Sequence, residues 1–258
     1  MIDLDAIRRR LDDERRTLAG AGETLEIVPP VVRLRSADGS RHTIIASDLS
    51  PETADAAIAA QAAHHRALGA EVEWKVYAHD RPADLAARLA RHGFAVGPAE
   101  TVLVLDLHDR PAWIDEPPAH ESRRVGDDVD VEAYRAAAEM IFGKDYGFTA
   151  GELRAHLRLG STQHQAYVAL DGGVVASIGR LYTHPQSAFG GLYGGATLKS
   201  HRGRGLYRAT VAARARDATE LGARYLIADA LPTSRPILER LGFVRLTETW
   251  PCMLGPNP

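Results

Sequence analysis

Gly194-Gly195-Ala196-Thr197-Leu198-Lys199-Ser200-His201-Arg202-Gly203-Arg204-Gly205-Leu206-Tyr207 is the stretch on which the reading of this chain turns. Small and apolar residues up to Leu198 read as a strand, and the basic, glycine-punctuated turn after them leads directly into an Ala-rich helix. That order suits an anion. Glycines at 203 and 205 let the backbone adopt open dihedrals and approach a bulky ligand, while the first N–H groups of the helix lack intrahelical acceptors. Arg202, Arg204 and Arg208 surround the same turn, so a pyrophosphate would meet both directional donors and diffuse charge. Each arginine taken alone also fits a solvated surface turn. The Walker pattern is absent, because no Gly-Lys is followed by Ser or Thr. A dinucleotide fingerprint would need a third glycine where Arg208 stands, within a mostly parallel βαβ context.

Outward from this turn the pattern predicts a strand over 191–198, a helix over 205–221, a strand over 225–230, a helix over 235–241, the stop Gly242-Phe243 and a final strand. The N-terminal half follows the same order. An amphipathic helix runs to about Gly20, and strands follow at 25–28, 31–34 and 42–46. Asp48-Leu49-Ser50-Pro51-Glu52 then supplies a polar cap, a proline and an acidic first turn for an Ala-rich helix closing near Leu68-Gly69. A strand over 73–77, a helix from Arg81-Pro82 through Leu89, the stop Gly93-Phe94 and a strand over 102–105 complete it. Leu68-Gly69-Ala70 matches Leu221-Gly222-Ala223, Arg81-Pro82 matches Arg235-Pro236, and Gly93-Phe94 matches Gly242-Phe243, which favours duplication. The proline-rich segment 108–118 suits an interdomain crossing, with the boundary near residue 118.

The strand, Arg202-x-x-Gly205-x-Tyr207, the Ala-rich helix, the next strand and helix, and Leu241-Gly242-Phe243 resemble the acyl-CoA-binding half of the GNAT acetyltransferases. That family's turn reads Arg or Gln, two residues, Gly, one residue, then Gly or Ala. Tyr207 departs at the last position, where its side chain would crowd the turn without removing its amides. The resemblance covers about residues 120–253 and implies an α/β (α+β) fold of two tandem GNAT-like domains. Each would be a mixed, mostly antiparallel sheet flanked by helices. Residues 1–118 would be a degenerate copy, since its 47–51 junction has no glycine and carries Asp48, and residues 119–258 the acetyltransferase domain.

Carried over by position, the resemblance implies that Ala196, Thr197 and Leu198 offer strand backbone to the pantetheine arm of acetyl-CoA. Arg202, Gly203, Arg204, Gly205, Leu206, Tyr207 and Arg208 would wrap its pyrophosphate. The implied reaction is direct attack by the amine of a small-molecule or aminoacyl-type acceptor on the thioester. The family's usual acid, a tyrosine four residues before Gly-Phe, is here Leu238. Tyr193, read as in phase with Thr197, and Tyr225 are substitutes, though both also fit packing. Asp229 ranks first as base and His201 second, with Glu139 and His184 behind; each also fits a turn or cap. The aromatics of 141–148 fall where the family's acceptor-binding loop would lie. A catalytically inactive acyl-CoA sensor is the alternative, and a purely structural interaction protein is a third.

Composition bounds these readings. The 258 residues carry 31 Lys and Arg against 34 Asp and Glu, a formal charge of −3 that gives no reason to expect nucleic acid or an acidic membrane. Any anion site must therefore be local. The single cysteine, Cys252, excludes an internal disulfide or zinc cluster and suits a buried thiol in a reducing cytoplasm. The N-terminus has no apolar h-region, and no stretch reaches membrane-span length. A soluble monomer or homodimer without a metal is expected.

Overall fold

The structure, a computed structural model, describes residues 2–20 and 22–255. In chain order, α1 (Leu4–Thr17) precedes β1 (Glu23–Val28), β2 (Val31–Ser36), β3 (Arg41–Ser47), α2 (Ala54–Leu68), β4 (Glu71–Tyr77), α3 (Leu85–Arg91), β5 (Ala95–Val96) and β6 (Glu100–Asp106). There follow β7 (Ser122–Arg124), α4 (Asp128–Phe142), α5 (Gly147–Arg158), β8 (His164–Asp171), β9 (Val174–Tyr182), β10 (Phe189–Thr197), α6 (Leu206–Glu220), β11 (Tyr225–Ala230), α7 (Arg235–Arg240) and β12 (Val244–Leu254). This is a mixed α/β fold whose strands pair mostly antiparallel and are flanked by helices. No helix among the described residues is long and apolar enough to cross a membrane.

Packing divides the chain into two compact units. The first comprises Met1–Leu103, Asp229–Leu238 and Val244–Pro258; the second comprises Val104–Ala228 and Glu239–Phe243. Segment 108–118 folds onto the second unit through single 3-10 turns at Leu107–Asp109 and Ala112–Ile114. Ile114 is fully buried, and the Trp113 Nε1–H donates to Leu241 O at 3.2 Å.

In the first unit β1, β2 and β3 form an antiparallel meander, and β3 then runs parallel to β4 from Arg41↔Glu71 to Ile44↔Trp74. β12 lies antiparallel on β4, so the last strand of the sequence belongs to this unit. Alternation explains the core. Val72, Trp74 and Val76 point to one face, where they pack with Ile58, Leu85, Leu89, Phe94 and Cys252. Complete burial of each such side chain contributes about 1.5–3 kcal/mol. The Cys252 thiol is pushed up to about 11 by burial, which makes it the inert core thiol expected.

The helix expected from Asp48-Pro51 begins instead at Ala54. Ser50–Thr53 close a turn first: the Ser50 N–H donates to Thr53 Oγ1 at 3.0 Å and the Ala54 N–H to Ser50 O at 3.0 Å. Similarly, α3 begins at Leu85, after Asp84, rather than at Arg81-Pro82.

In the second unit β7, β8, β9 and β10 are antiparallel neighbours, and β10 runs parallel to β11. Ala166, Val168 and Ile178 face α4 and α5, against Val131, Tyr134, Ala150 and Leu153. The opposite face meets α6: Ala169 and Ala176 pack with Leu206, Ala209 and Leu198. These contacts fix the start of α6 against the sheet. The order of two antiparallel strands, helix and parallel strand thus occurs in both units, as β2-β3-α2-β4 and as β9-β10-α6-β11.

Candidate functional site

β10 and β11 share only the pairs Phe189↔Tyr225, Gly190↔Leu226 and Gly191↔Ile227. β10 then runs on to Thr197, and among the described residues its edge away from β9 has no strand partner beyond Gly191. Its pairing with β9 shifts between Tyr193 and Ala196, where Gly194 takes φ +57°. The extra residue changes the phase of everything after it. Tyr193 lies opposite Arg180 and Ala196 opposite Ile178, so these share a face, while Thr197 lies opposite Ser177 on the other. The expected phase match of Tyr193 with Thr197 is therefore lost to the bulge. Thr197 Oγ1 sits 2.9 Å from Ser177 Oγ.

Beyond β10, Lys199–His201 form a single 3-10 turn, and Gly203 and Gly205 follow at φ +79° and +89°. A Cβ at either glycine would meet nothing within 4 Å, so conformation alone requires glycine there and the space above is open. The Ala209 N–H donates to Gly205 O at 3.0 Å, the first main-chain bond of α6. Among the described residues, none accepts from the amides of 203–208. Leu206 is 1% exposed and pins this helix start to β8 and β9. The Tyr207 ring folds back on the strand: a Cβ at Gly195 would lie 2.9 Å from its Cε2.

The arginines of the turn already have partners. Arg202 Nε donates to Thr197 O at 3.2 Å, Arg204 pairs with Asp171 at 2.7 Å, and Arg208 pairs with Glu116 at 2.5 Å beneath the Trp113 ring. Exposed pairs of this kind contribute about 0–1 kcal/mol, so a multiply charged anion can displace them. Both main-chain groups of Leu198 are engaged, its N–H with Ala176 O and its carbonyl with the His201 N–H, each at 2.9 Å. His201 Nδ1 lies 2.9 Å from Ser200 Oγ.

Of the other residues singled out, Asp229 lies in the first unit and forms an ion pair with Lys75. Glu73 and Glu100 stand near it, and burial, then the charge of Asp229, keeps both carboxyls above the usual range; Lys75 opposes this. Glu139 accepts from Arg135 Nε at 2.8 Å and from the Tyr146 N–H at 3.2 Å, which makes it a brace for the 143–146 loop. His184 Nδ1 accepts from the Gln186 N–H at 3.1 Å within a turn. Tyr225 is buried against Phe189, and Leu238 is buried.

Sequence reasoning missed a polar cluster on the α4–α5 face of the second unit. Arg180 Nη1 donates to Tyr182 Oη at 3.1 Å, while its buried Nε has no acceptor and would lie 3.3 Å from a Cβ at Gly194. Burial opposes its charge, but Tyr182, Tyr134, Tyr146 and Glu152 hold it charged. The Tyr134 hydroxyl, fully buried and also without a partner, is pushed up to about 12 by that burial. His164 stacks on Tyr182 with centroids 4.1 Å apart and is pushed down to about 3 by burial and then by Arg180. The available signal was alternation: Arg180 falls two residues after the core residue Ile178 on one strand.

These features coincide with a known family in the same region. Residues 132–243 match the acetyltransferase (GNAT) family. The match takes in the bulged strand, the turn, α6 and the Gly242-Phe243 stop. No curated protein matches the sequence. Solved structures share the fold along nearly the whole chain. A GCN5-related N-acetyltransferase from Kribbella flavida is 19% identical at TM-score 0.70, covering 98% of this chain and 96% of its own. A conserved protein of unknown function from Staphylococcus epidermidis is 13% identical at TM-score 0.63, with 94% of each chain covered. A tandem GNAT protein of the clavulanic acid biosynthesis pathway is 15% identical at TM-score 0.59, covering 93% of this chain and 86% of its own. At these identities the likeness is one of fold.

Proposed function

We propose that this chain transfers an acetyl or related acyl group from acetyl-CoA to the amine of a small-molecule or aminoacyl-type acceptor. The observation that carries the reading is the set of unengaged amides at 203–208, gathered at the start of α6 directly after the open edge of β10. A diphosphate on these amides gains about 1.5–3 kcal/mol per charge-assisted bond and about 0.3–1 kcal/mol from the helix terminus. The pantetheine arm then lies along the free edge at Ala196 and Thr197. Arg202, Arg204 and Arg208 exchange their present partners for the phosphates.

In the reaction the amine nitrogen attacks the thioester carbonyl, the C–S bond breaks, the nitrogen gives up its proton to solvent, and the thiolate takes a proton from a nearby donor. Tyr193, on the bulged segment of the same strand, is our choice of donor. A thiol's reference pKa of about 8.5 makes its anion a tolerable leaving group even without one. Asp229 is engaged in an ion pair with Lys75, which competes with a role as base.

The shared order β2-β3-α2-β4 and β9-β10-α6-β11 supports residues 1–118 as a degenerate copy, whose 48–53 junction has a Ser-Thr turn where the other has glycines. We place the protein in the cytoplasm as a monomer or homodimer acting on free small molecules, without nucleic acid, membrane or metal. Buried Leu238 at the family's acid position favours one other reading, an acyl-CoA sensor without turnover. Thiol release from acetyl-CoA across a panel of amines separates the two. Release that requires an amine supports transfer, whereas tight binding with no release under any amine supports the sensor.

A further inference from the structure

Arginines set into a protein are normally paired with carboxylates, because an unpaired charge out of water is costly. The first unit obeys this: Arg15 pairs with Asp80 at 2.6 Å and Arg33 with Glu26 at 2.8 Å. Arg180 differs. Its one side-chain hydrogen bond goes to a neutral phenol, and the carboxylate near it, Glu152, supports its charge electrostatically.

Its surroundings are rich in donors and poor in acceptors. Nε of Arg180 and Oη of Tyr134 are both buried without partners. Tyr182 Oη accepts from Arg180, which leaves its own proton free to donate. Arg180 and Tyr182 are both partly exposed, and aromatic rings stand beside them. Tyr193, 45% exposed, stands edge-on to Tyr182 at 4.9 Å, and Tyr146 stacks on the partly exposed Phe142 at 5.4 Å. Arg214, by contrast, is fully enclosed on the opposite face and donates to Thr210 O and Arg180 O.

We propose that Arg180, with the Tyr182 hydroxyl, is the anchor for a carboxylate on the acyl acceptor, so that the preferred acceptor is an amino acid or another amine bearing a carboxylate beside an apolar group. A guanidinium nitrogen and a phenol O–H present two donors to the two oxygens of one carboxylate. The aromatic rim receives the apolar part. The anion site stands on geometry alone; naming its occupant the acceptor rests on the acyl-transfer reading above.

The test compares 3-phenylpropanoate with the isosteric 3-phenylpropanamide by calorimetry on the full chain, with acetyl-CoA titrated separately. The acid is expected to bind about 10- to 100-fold more tightly than the amide, and Arg180→Met to erase the difference while Arg180→Lys keeps part of it. Melting curves check that the variants fold, and the acid–amide comparison on the unaltered chain needs no variant. Equal affinities for acid and amide, no binding of either, or a folded Arg180→Met variant that still prefers the acid would each overturn the proposal. Acid preference without acetyl-CoA binding removes the transferase reading and leaves the anion site standing. Acetyl-CoA binding without acid preference does the reverse.

Discussion

Gly205 offers a way to separate the anion site from the stability of the fold that carries it. Its φ of +89° costs an L-residue about 1–2 kcal/mol, and its missing Cβ faces nothing within 4 Å. Gly205→Ala and Gly205→Glu therefore incur the same backbone strain and no clash, and both should lower the melting temperature by a similar few degrees. They differ in charge. A carboxylate about 4 Å from a phosphate oxygen is repelled by roughly 1 kcal/mol in water and about 4 kcal/mol at the effective dielectric of a protein surface. That corresponds to about 5- to 1000-fold in affinity. Calorimetry with acetyl-CoA should thus find Gly205→Ala within a few-fold of the unaltered chain and Gly205→Glu far weaker, increasingly so at low salt. Equal affinities for the two variants, or a gap indifferent to salt, would refute the reasoning.

Other consequences follow from single contacts. Gly179→Ala would place a Cβ 2.6 Å from Cζ of the fully buried Arg214, which has no room to yield, so a loss of about 1–3 kcal/mol is expected and an unchanged melting temperature would contradict it. Tyr193→Phe should lower kcat by about 10²-fold with acetyl-CoA affinity little changed, and an unaltered kcat in steady-state assays would retire Tyr193 as proton donor. His164 is neutral in the fold down to about pH 3 against about 6.5 when unfolded, so the unfolded chain binds the extra proton first. Its contribution to stability is present above pH 6.5 and is lost as pH falls towards 3, by up to about 1.4 kcal/mol per pH unit. Urea midpoints at pH 7 and pH 5 should show this fall, and His164→Phe should flatten it.

Much of the architecture was legible because local rules set it. The period-two alternation of Val72, Trp74 and Val76 and the left-handed stop at Gly69 need no distant partner to be read. The same holds for the turn, where two glycines and a helix start are enough. What the chain hid depends on pairing at long range or on one displaced residue. β12 reads as the closing strand of the second copy, yet its hydrogen bonds go to β4. The Gly194 bulge reversed the phase expected for Tyr193, since a single extra residue exchanges the two faces of a strand. The engagement of Asp229 by Lys75 required the fold to bring two distant segments together. Arg180 was readable only once β9 was known to turn that position towards α4 and α5.

Whether main-chain amides at 203–208 hold a diphosphate decides the proposed activity most directly. Titration of the unaltered chain with acetyl-CoA, alongside S-acetylpantetheine, which lacks the diphosphate, measures this. Saturable heat with acetyl-CoA and a far weaker response to S-acetylpantetheine is the predicted result; no heat with acetyl-CoA, or equal affinity for both, contradicts it.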